Sequence, residues 1–160
     1  DRIYVVGFSM GGLLAIYLAA QFRVDKLILL SAAAQFIHIP QLARNMKQMM
    51  NSSQRQDEES AYVPSFTYKI VHTPERAVLQ FLRVWQFVRT QYRNVTCPVR
   101  IVHGKEDGIV PLRAAFELER KLQSKDKEVI VSLTAKHHVC YSRDRDGWFP
   151  HLLHFLKEID

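Results

Sequence analysis

The apolar positions of this chain form runs of two kinds. Short, continuous apolar runs are typical of strands buried on both faces of a parallel sheet. They lie at 3–8 ("IYVVGF"), 26–32 ("KLILLSA"), 97–104 ("CPVRIVHG") and 127–133 ("KEVIVSL"). Helix-like stretches follow three of them, at 13–20, 112–123 and 148–159. Strands that alternate with helices predict an α/β fold, with a mostly parallel sheet covered by helices on both faces.

The alternation is interrupted by a section of different texture. Residues 35–94 combine a polar patch, "NSSQRQDEES", with an amphipathic stretch that contains Trp85. We interpret this section as a small helical cap insertion between two parts of the core, 1–34 and 95–160. Its methionines are interpreted as helix packing, with an apolar binding groove as the alternative; they are Met46, Met49 and Met50.

A serine marks the junction of the first strand and the first helix. Ser9 has Gly7 two residues before it and Gly11 two residues after it, the G-x-S-x-G spacing of a turn that exposes a nucleophilic serine. We expect both glycines where strand and helix cross too closely for a side chain. The backbone N–H of Met10 would then face negative charge that develops beside Ser9. The alternative is a structural turn with an inert serine.

An acid and two histidines follow later strands. Asp107 lies in "HGKEDGIVP" after the third strand, and His137 and His138 lie in "TAKHHVCYS" after the fourth. Because loops at the carboxyl ends of parallel strands meet at one edge of the sheet, these groups should meet Ser9 there. Serine, histidine and carboxylate are the groups that nucleophilic acyl transfer needs. The other histidines, including His103 in the third strand, are interpreted as structural.

The charge of the chain does not indicate nucleic-acid binding. The formal net charge is +6, but the cations are scattered and form no basic stripe interleaved with aromatic residues, so we expect no nucleic-acid partner. Arg83, Arg89 and Arg93 lie at helical spacing, opposite apolar residues. We interpret them as a solvated helix face, with a cationic rim that guides an acidic substrate as the alternative.

The cysteine content and hydropathy of the sequence argue against a disulfide framework, a metal site and a transmembrane segment. Cys97 and Cys140 are too few for a disulfide framework and lack metal-ligand spacing, so we expect a reduced, cytoplasmic protein without a metal or cofactor. No apolar run in the sequence approaches the roughly 18 residues that span a bilayer, so we expect no transmembrane segment.

Taken together, the motifs resemble α/β-hydrolases of the carboxylesterase and monoacylglycerol-lipase-like kind. The matching features are the "GFSMGG" elbow, the "H-V" pair followed by "RDRD" and a helix, and a G-x-x-D-x-x-V-P arrangement from Gly104 to Pro111. The resemblance runs from Ile3 to Leu156. It implies a partial α/β-hydrolase fold that begins at the nucleophile strand.

The resemblance also implies roles for individual residues. Ser9 would be the nucleophile, Asp107 the acid and His138 the base, because the group places a small apolar residue directly after the base and Val139 meets this habit. The N–H of Met10 would be one oxyanion donor, while the second donor would belong to a loop missing from this chain. The implied substrates are short- to medium-chain acyl esters or monoacylglycerols. Thioesterase, peptidase and non-catalytic module of the same fold remain alternatives.

In such hydrolases several strands precede the nucleophile strand. The resemblance therefore implies that this chain is the C-terminal portion of a longer protein. Its first strand would then be an edge strand with unpaired backbone groups and uncovered apolar surface. We expect self-association through this strand.

Overall fold

The computed structural model describes residues 1–35 and 75–158. Most of the predicted insertion lies outside the described residues, and so do Met46, Met49 and Met50. Within the two described ranges, none of the helices is long and apolar enough to cross a membrane.

Strands and helices alternate along the described chain, as the apolar pattern predicts. The strands are β1 (Tyr4–Phe8), β2 (Lys26–Leu30), β3 (Val99–Gly104) and β4 (Lys127–Ser132). The α-helices are α1 (Met10–Gln21), α2 (Glu75–Val88), α3 (Arg113–Lys121) and α4 (Arg145–Lys157). Two 3₁₀ turns follow α2 and β4, at Arg89–Asn94 and Val139–Tyr141.

The described strands form one parallel sheet in the order β1-β2-β3-β4. The register brings their carboxyl ends to a common edge, since Phe8 is opposite Leu30, Leu30 is opposite Val102, and Gly104 is opposite Ser132. The loops that follow β1, β3 and β4 therefore emerge at the same edge of the sheet, which is the placement expected of the candidate residues.

The sheet is covered on both faces, which explains why β2 and β3 are apolar without alternation. Leu27, Leu29 and Ile101 pack on one face with residues of α1, α2 and α3. Ile28 and Val102 pack on the other face with residues of α4. The described chain thus has the parallel α/β architecture, with helices on both faces of the sheet, that the sequence predicts.

The end of the predicted insertion packs against this core. Phe81, Val84 and Trp85 of α2 contact the cluster beside α1, and Val88 is almost completely buried. The α-helix ends at Val88, and the backbone tightens into the 3₁₀ turn Arg89–Asn94. The predicted row of arginines is therefore split between two kinds of helix.

Candidate active site

Ser9 lies at a sharp turn between β1 and α1. Its backbone has φ 52° and ψ −120°, a conformation that non-glycine residues rarely adopt. The turn is held by backbone hydrogen bonds: Ser9 N–H donates to Leu30 O (2.9 Å), and Ser9 O accepts from the N–H groups of Gly12 and Ala33 (3.0 Å each). Strained geometry persists where the surroundings fix it in this way, and such strain is concentrated at functional sites.

The glycines around Ser9 have different roles. A Cβ at Gly7 would lie 2.5 Å from Gly11 O and 2.6 Å from Ala15 Cβ, so no side chain fits there. At Gly11 a Cβ would meet none of the described residues within 4 Å. At Gly12 it would lie 2.6 Å from Ala32 Cβ. The close crossing thus requires Gly7, as expected, but the second tight position is Gly12 and the steric expectation for Gly11 is wrong.

Asp107 is turned inward by the loop after β3. Its side chain is completely buried, and its Oδ1 accepts hydrogen bonds from the N–H groups of Ile109 (2.8 Å) and Val110 (2.9 Å). Such charge-assisted hydrogen bonds stabilise an ionised carboxylate. Its second oxygen, Oδ2, faces the loop that follows β4.

His137 connects this carboxylate to Ser9. His137 Nδ1 lies 2.9 Å from Asp107 Oδ2, and His137 Nε2 lies 2.9 Å from Ser9 Oγ. An ionised carboxylate can only accept, so we assign the ring hydrogen to Nδ1, which leaves Nε2 to accept from the Ser9 hydroxyl. The chain of three groups has the connectivity of a Ser-His-Asp triad.

The expectation that His138 faces Ser9 and Asp107 is therefore corrected to His137. Both histidine rings lie beside Phe8, at 5.2 Å for His137 and 5.3 Å for His138 between centroids, and the His138 ring also lies 6.4 Å from Tyr141. The rings of His137 and His138 lie 5.8 Å apart between centroids with 78° between their planes, and a tight turn follows, in which Val139 N–H donates to His137 O at 3.0 Å. Burial, followed by the neighbouring His137, lowers the pKa of His138.

Val139, the apolar residue after the histidine pair, is explained by packing and not by the identity of the base. Val139 is completely buried in the cluster formed with α4. Its apolar character therefore reflects core packing and does not mark the residue before it as the base.

His103 adds a contact that the sequence interpretation missed. This completely buried side chain of β3 donates from Nε2 to Val110 O at 2.9 Å, and the same nitrogen lies 3.5 Å from Asp107 Oδ2. Burial lowers the pKa of His103, which favours the neutral ring. The sequence feature that could have indicated this contact is the position of His103 directly before Gly104, at the start of the loop that carries Asp107.

The loops after β3 and β4 are held together closely. A Cβ at Gly104 would overlap the carbonyl oxygens of Ala135 and Lys136, so only glycine fits at the end of β3. Glu106 N–H also donates to Ala135 O at 3.0 Å. These contacts fix the distance between the segments that carry Asp107 and His137.

Asp144 anchors the beginning of the histidine loop. Its carboxylate accepts hydrogen bonds from Ser132 Oγ (2.5 Å), Leu133 N–H (2.7 Å) and Thr134 Oγ1 (2.9 Å). Burial acts to raise the pKa of Asp144, but these hydrogen bonds outweigh it and lower the pKa to about 2. Its contacts are with the loop backbone and hydroxyls, while Asp107 is the carboxylate that contacts His137.

Met10 begins α1 directly after Ser9. Its backbone N–H therefore belongs to the helix N-terminus, the region expected to attract developing negative charge. Its role as an oxyanion donor stays a prediction.

Comparison with known proteins supports the assignment of this site to a hydrolase. Residues 1–144 match the family model described as serine aminopeptidase, S33. The chain is 29% identical over 145 residues to the thermostable monoacylglycerol lipase of Bacillus sp. (strain H-257), covering 87% of this chain and 56% of the lipase. It is 26% identical over 146 residues to the mitochondrial palmitoyl-protein thioesterase ABHD10 of Homo sapiens, covering 84% and 44%. This chain thus spans about half the length of these curated relatives.

Solved structures show the same fold. The monoacylglycerol lipase of Paleococcus ferrophilus has a TM-score of 0.70 at 15% identity, with 98% of this chain and 68% of the lipase covered. An esterase from Exiguobacterium antarcticum has a TM-score of 0.69 at 20% identity, with coverages of 99% and 68%. The expected likeness to α/β-hydrolases of the esterase and lipase kind is confirmed.

Proposed function

This chain belongs to the serine aminopeptidase S33 family, and we propose that it cleaves carboxylic esters, either short- to medium-chain acyl esters or monoacylglycerols, through an acyl-enzyme. The observation that carries the proposal is the position of His137, whose two ring nitrogens lie 2.9 Å from Ser9 Oγ and 2.9 Å from Asp107 Oδ2. Ser9 would be the nucleophile, His137 the general base and Asp107 the group that holds the imidazole.

In the first half-reaction, Ser9 Oγ attacks the ester carbonyl carbon while His137 Nε2 takes the hydroxyl proton. Asp107 stabilises the imidazolium that forms and keeps Nδ1 protonated. The Met10 N–H would donate to the oxyanion. The tetrahedral intermediate then collapses: the bond to the alcohol oxygen breaks, and the alcohol leaves with the proton from His137. The acyl group remains on Ser9.

In the second half-reaction, His137 Nε2 takes a proton from water, which attacks the acyl carbon. Collapse returns the proton to Ser9 Oγ and releases the carboxylic acid. The free enzyme is restored without a cofactor or a metal.

A second candidate substrate is an acyl thioester. The relative from Homo sapiens is a palmitoyl-protein thioesterase, and the same triad can attack either carbonyl. The family description would also suit a peptidase, and a non-catalytic module of this fold is the further alternative.

Hydrolysis of matched butyryl substrates by this chain and its variants tests the proposal. We expect a p-nitrophenyl ester and a monoacylglycerol to be cleaved faster than a thioester or an anilide with the same acyl group. Ser9→Ala and His137→Gln should each lower kcat/KM by at least about 10³-fold, and Asp107→Asn by about 10⁴-fold. His138→Gln is the matched control, with an expected change below about tenfold. Equal rates for the original chain and Ser9→Ala would contradict the mechanism, and preference for the thioester would change the substrate class.

A further inference from the structure

A cavity among the described residues lies apart from the triad. A cavity of about 680 Å³ is bounded by the segment after β2, the 3₁₀ turn that follows α2, and α3. Its lining includes neither Ser9, His137 nor Asp107. The volume lies within the range of roughly 300–1,000 Å³ that small-molecule sites occupy.

One wall of this cavity is aromatic and held in place by hydrogen bonds. Trp85 Nε1–H and Tyr92 O–H both donate to Ala34 O, at 3.1 Å and 2.6 Å. Burial raises the pKa of Tyr92, which further favours the protonated phenol that donates this hydrogen bond. These two hydrogen bonds to the Ala34 carbonyl hold the aromatic wall against the segment that follows β2.

The rest of the lining is strongly cationic. Four lining residues carry a positive charge, while Glu117 is the acidic residue among the described lining, so the formal balance is four minus one, or +3. The cations are Arg89, Arg93, Arg113 and Lys121. The Arg89 guanidinium lies 4.9 Å from the centre of the Trp85 ring, a cation–π contact that orients it, and the Glu117 carboxylate accepts a hydrogen bond from the Gln35 amide.

The positive charges around this cavity favour an anionic ligand. Like charges gathered around one cavity repel, and an anion between them offsets that repulsion. Guanidinium groups bind phosphate oxygens through paired N–H donors, a geometry that an ammonium lacks. Three guanidinium groups and an excess of three positive charges suit a multiply charged anion with several acceptor oxygens better than a single carboxylate.

We propose that this cavity binds a small phosphate-bearing anion, such as a phosphate monoester or a diphosphate. Two arginines of the predicted row, Arg89 and Arg93, line this cavity, while the third, Arg83, is not among the lining residues. Binding here does not depend on the hydrolase activity proposed for Ser9.

Calorimetric titration of the chain with inorganic pyrophosphate, without divalent cations and at constant ionic strength, tests the site. We expect saturable binding at one site per chain. Arg93→Gln and Arg113→Gln should each raise Kd at least about tenfold. Arg83→Gln and Arg120→Gln are matched controls, because each removes the same charge from an exposed position outside the lining, and they should leave Kd within about twofold.

One variant should bind more tightly, which a folding defect cannot imitate. Glu117→Gln removes the opposing carboxylate and should lower Kd several-fold. A heat of binding that does not saturate with added pyrophosphate would overturn the proposal. An equal loss of affinity in the lining and control variants would also overturn it, because it would indicate non-specific attraction to a basic chain. Unchanged affinity in Glu117→Gln would also count against it.

Discussion

At the scale of the residue, the buried carboxylate of Asp107 shows how the site is assembled. Its Oδ1 is occupied by two backbone N–H groups, so Oδ2 is the oxygen directed at His137. His103 donates to the carbonyl of Val110, whose N–H is one of those two donors. We infer that His103 is a positioning residue that stabilises the acid loop.

A residue-scale prediction concerns Asp144 and pH. The pKa of this carboxyl is about 2 in the folded chain, below the ordinary value of 3.8. Its contribution to the free energy of unfolding should therefore be complete above about pH 5 and be lost as the pH falls towards 2. Asp144→Asn should be less stable than the original chain at pH 7, and most of the difference should disappear as the pH falls from about 4 to 2.

Urea unfolding at pH 7, 4 and 2 measures this difference. Asp146→Asn is the control, because its side chain is 91% exposed and it lies outside the hydrogen bonds that anchor the loop. A difference between Asp144→Asn and the original chain that stays constant down to pH 2 would show that the carboxylate charge is not responsible.

At the scale of the element, two lysines at strand beginnings close the ends of helices. Lys26 of β2 is almost completely buried and donates to Phe155 O and to Glu158 O (2.8 Å) at the end of α4. Lys127 of β4 donates to Glu119 O and Leu122 O (2.8 Å each) at the end of α3. The last carbonyls of a helix lack partners within the helix, and a cation there also favours the helix dipole.

We expect Lys26→Met to lower the free energy of unfolding by about 1–3 kcal/mol, because the buried Phe155 carbonyl would lose its charged donor. Lys127→Met should cost less, since Lys127 is more exposed. Lys125→Met, at an exposed position, is the matched control and should stay within about 0.5 kcal/mol of the original chain. Urea unfolding at pH 7 provides the values. A Lys26→Met chain as stable as the original would show that the cap contributes nothing.

Local sequence patterns predict the strands and helices of this chain, while the placement of single side chains in the site depends on contacts between distant segments. The alternation of elements could be predicted, because burial of β2 and β3 on both faces makes them apolar throughout. The choice between His137 and His138 could not, since it depends on how the loop after β4 places each ring relative to Ser9 and Asp107, which are distant in sequence. The role of Gly12 was missed because its neighbour, Ala32, is distant in sequence.

At the scale of the whole molecule, several of the exposed apolar side chains among the described residues lie on β1 and α1. β1 is the edge strand of the described sheet, and Val6 is 58% exposed. Beside it, α1 and the residue after it present a row of exposed apolar side chains at four-residue spacing, formed by Met10, Leu14, Leu18 and Phe22. Exposed apolar side chains next to a strand edge that no other described strand pairs with favour association.

We therefore propose that this chain self-associates through β1 and the outer face of α1. Sedimentation velocity should show a weight-average mass that rises with concentration. The double variant Leu14→Lys/Leu18→Lys should remain monomeric, while Leu79→Lys, an exposed leucine of α2, should behave like the original chain. A monomer at every concentration, or equal disruption by the control, would contradict this interface.

The central claim is that Ser9, activated by His137 and Asp107, is the nucleophile. The most direct measurement is the intact mass of the chain after exposure to a serine-directed fluorophosphonate, with Ser9→Ala, His137→Gln and His138→Gln treated in parallel. The account predicts one adduct on the original chain and on His138→Gln, no adduct on Ser9→Ala, and labelling of His137→Gln slowed at least about 10³-fold. An adduct that persists in Ser9→Ala, or labelling lost in His138→Gln and retained in His137→Gln, would contradict it.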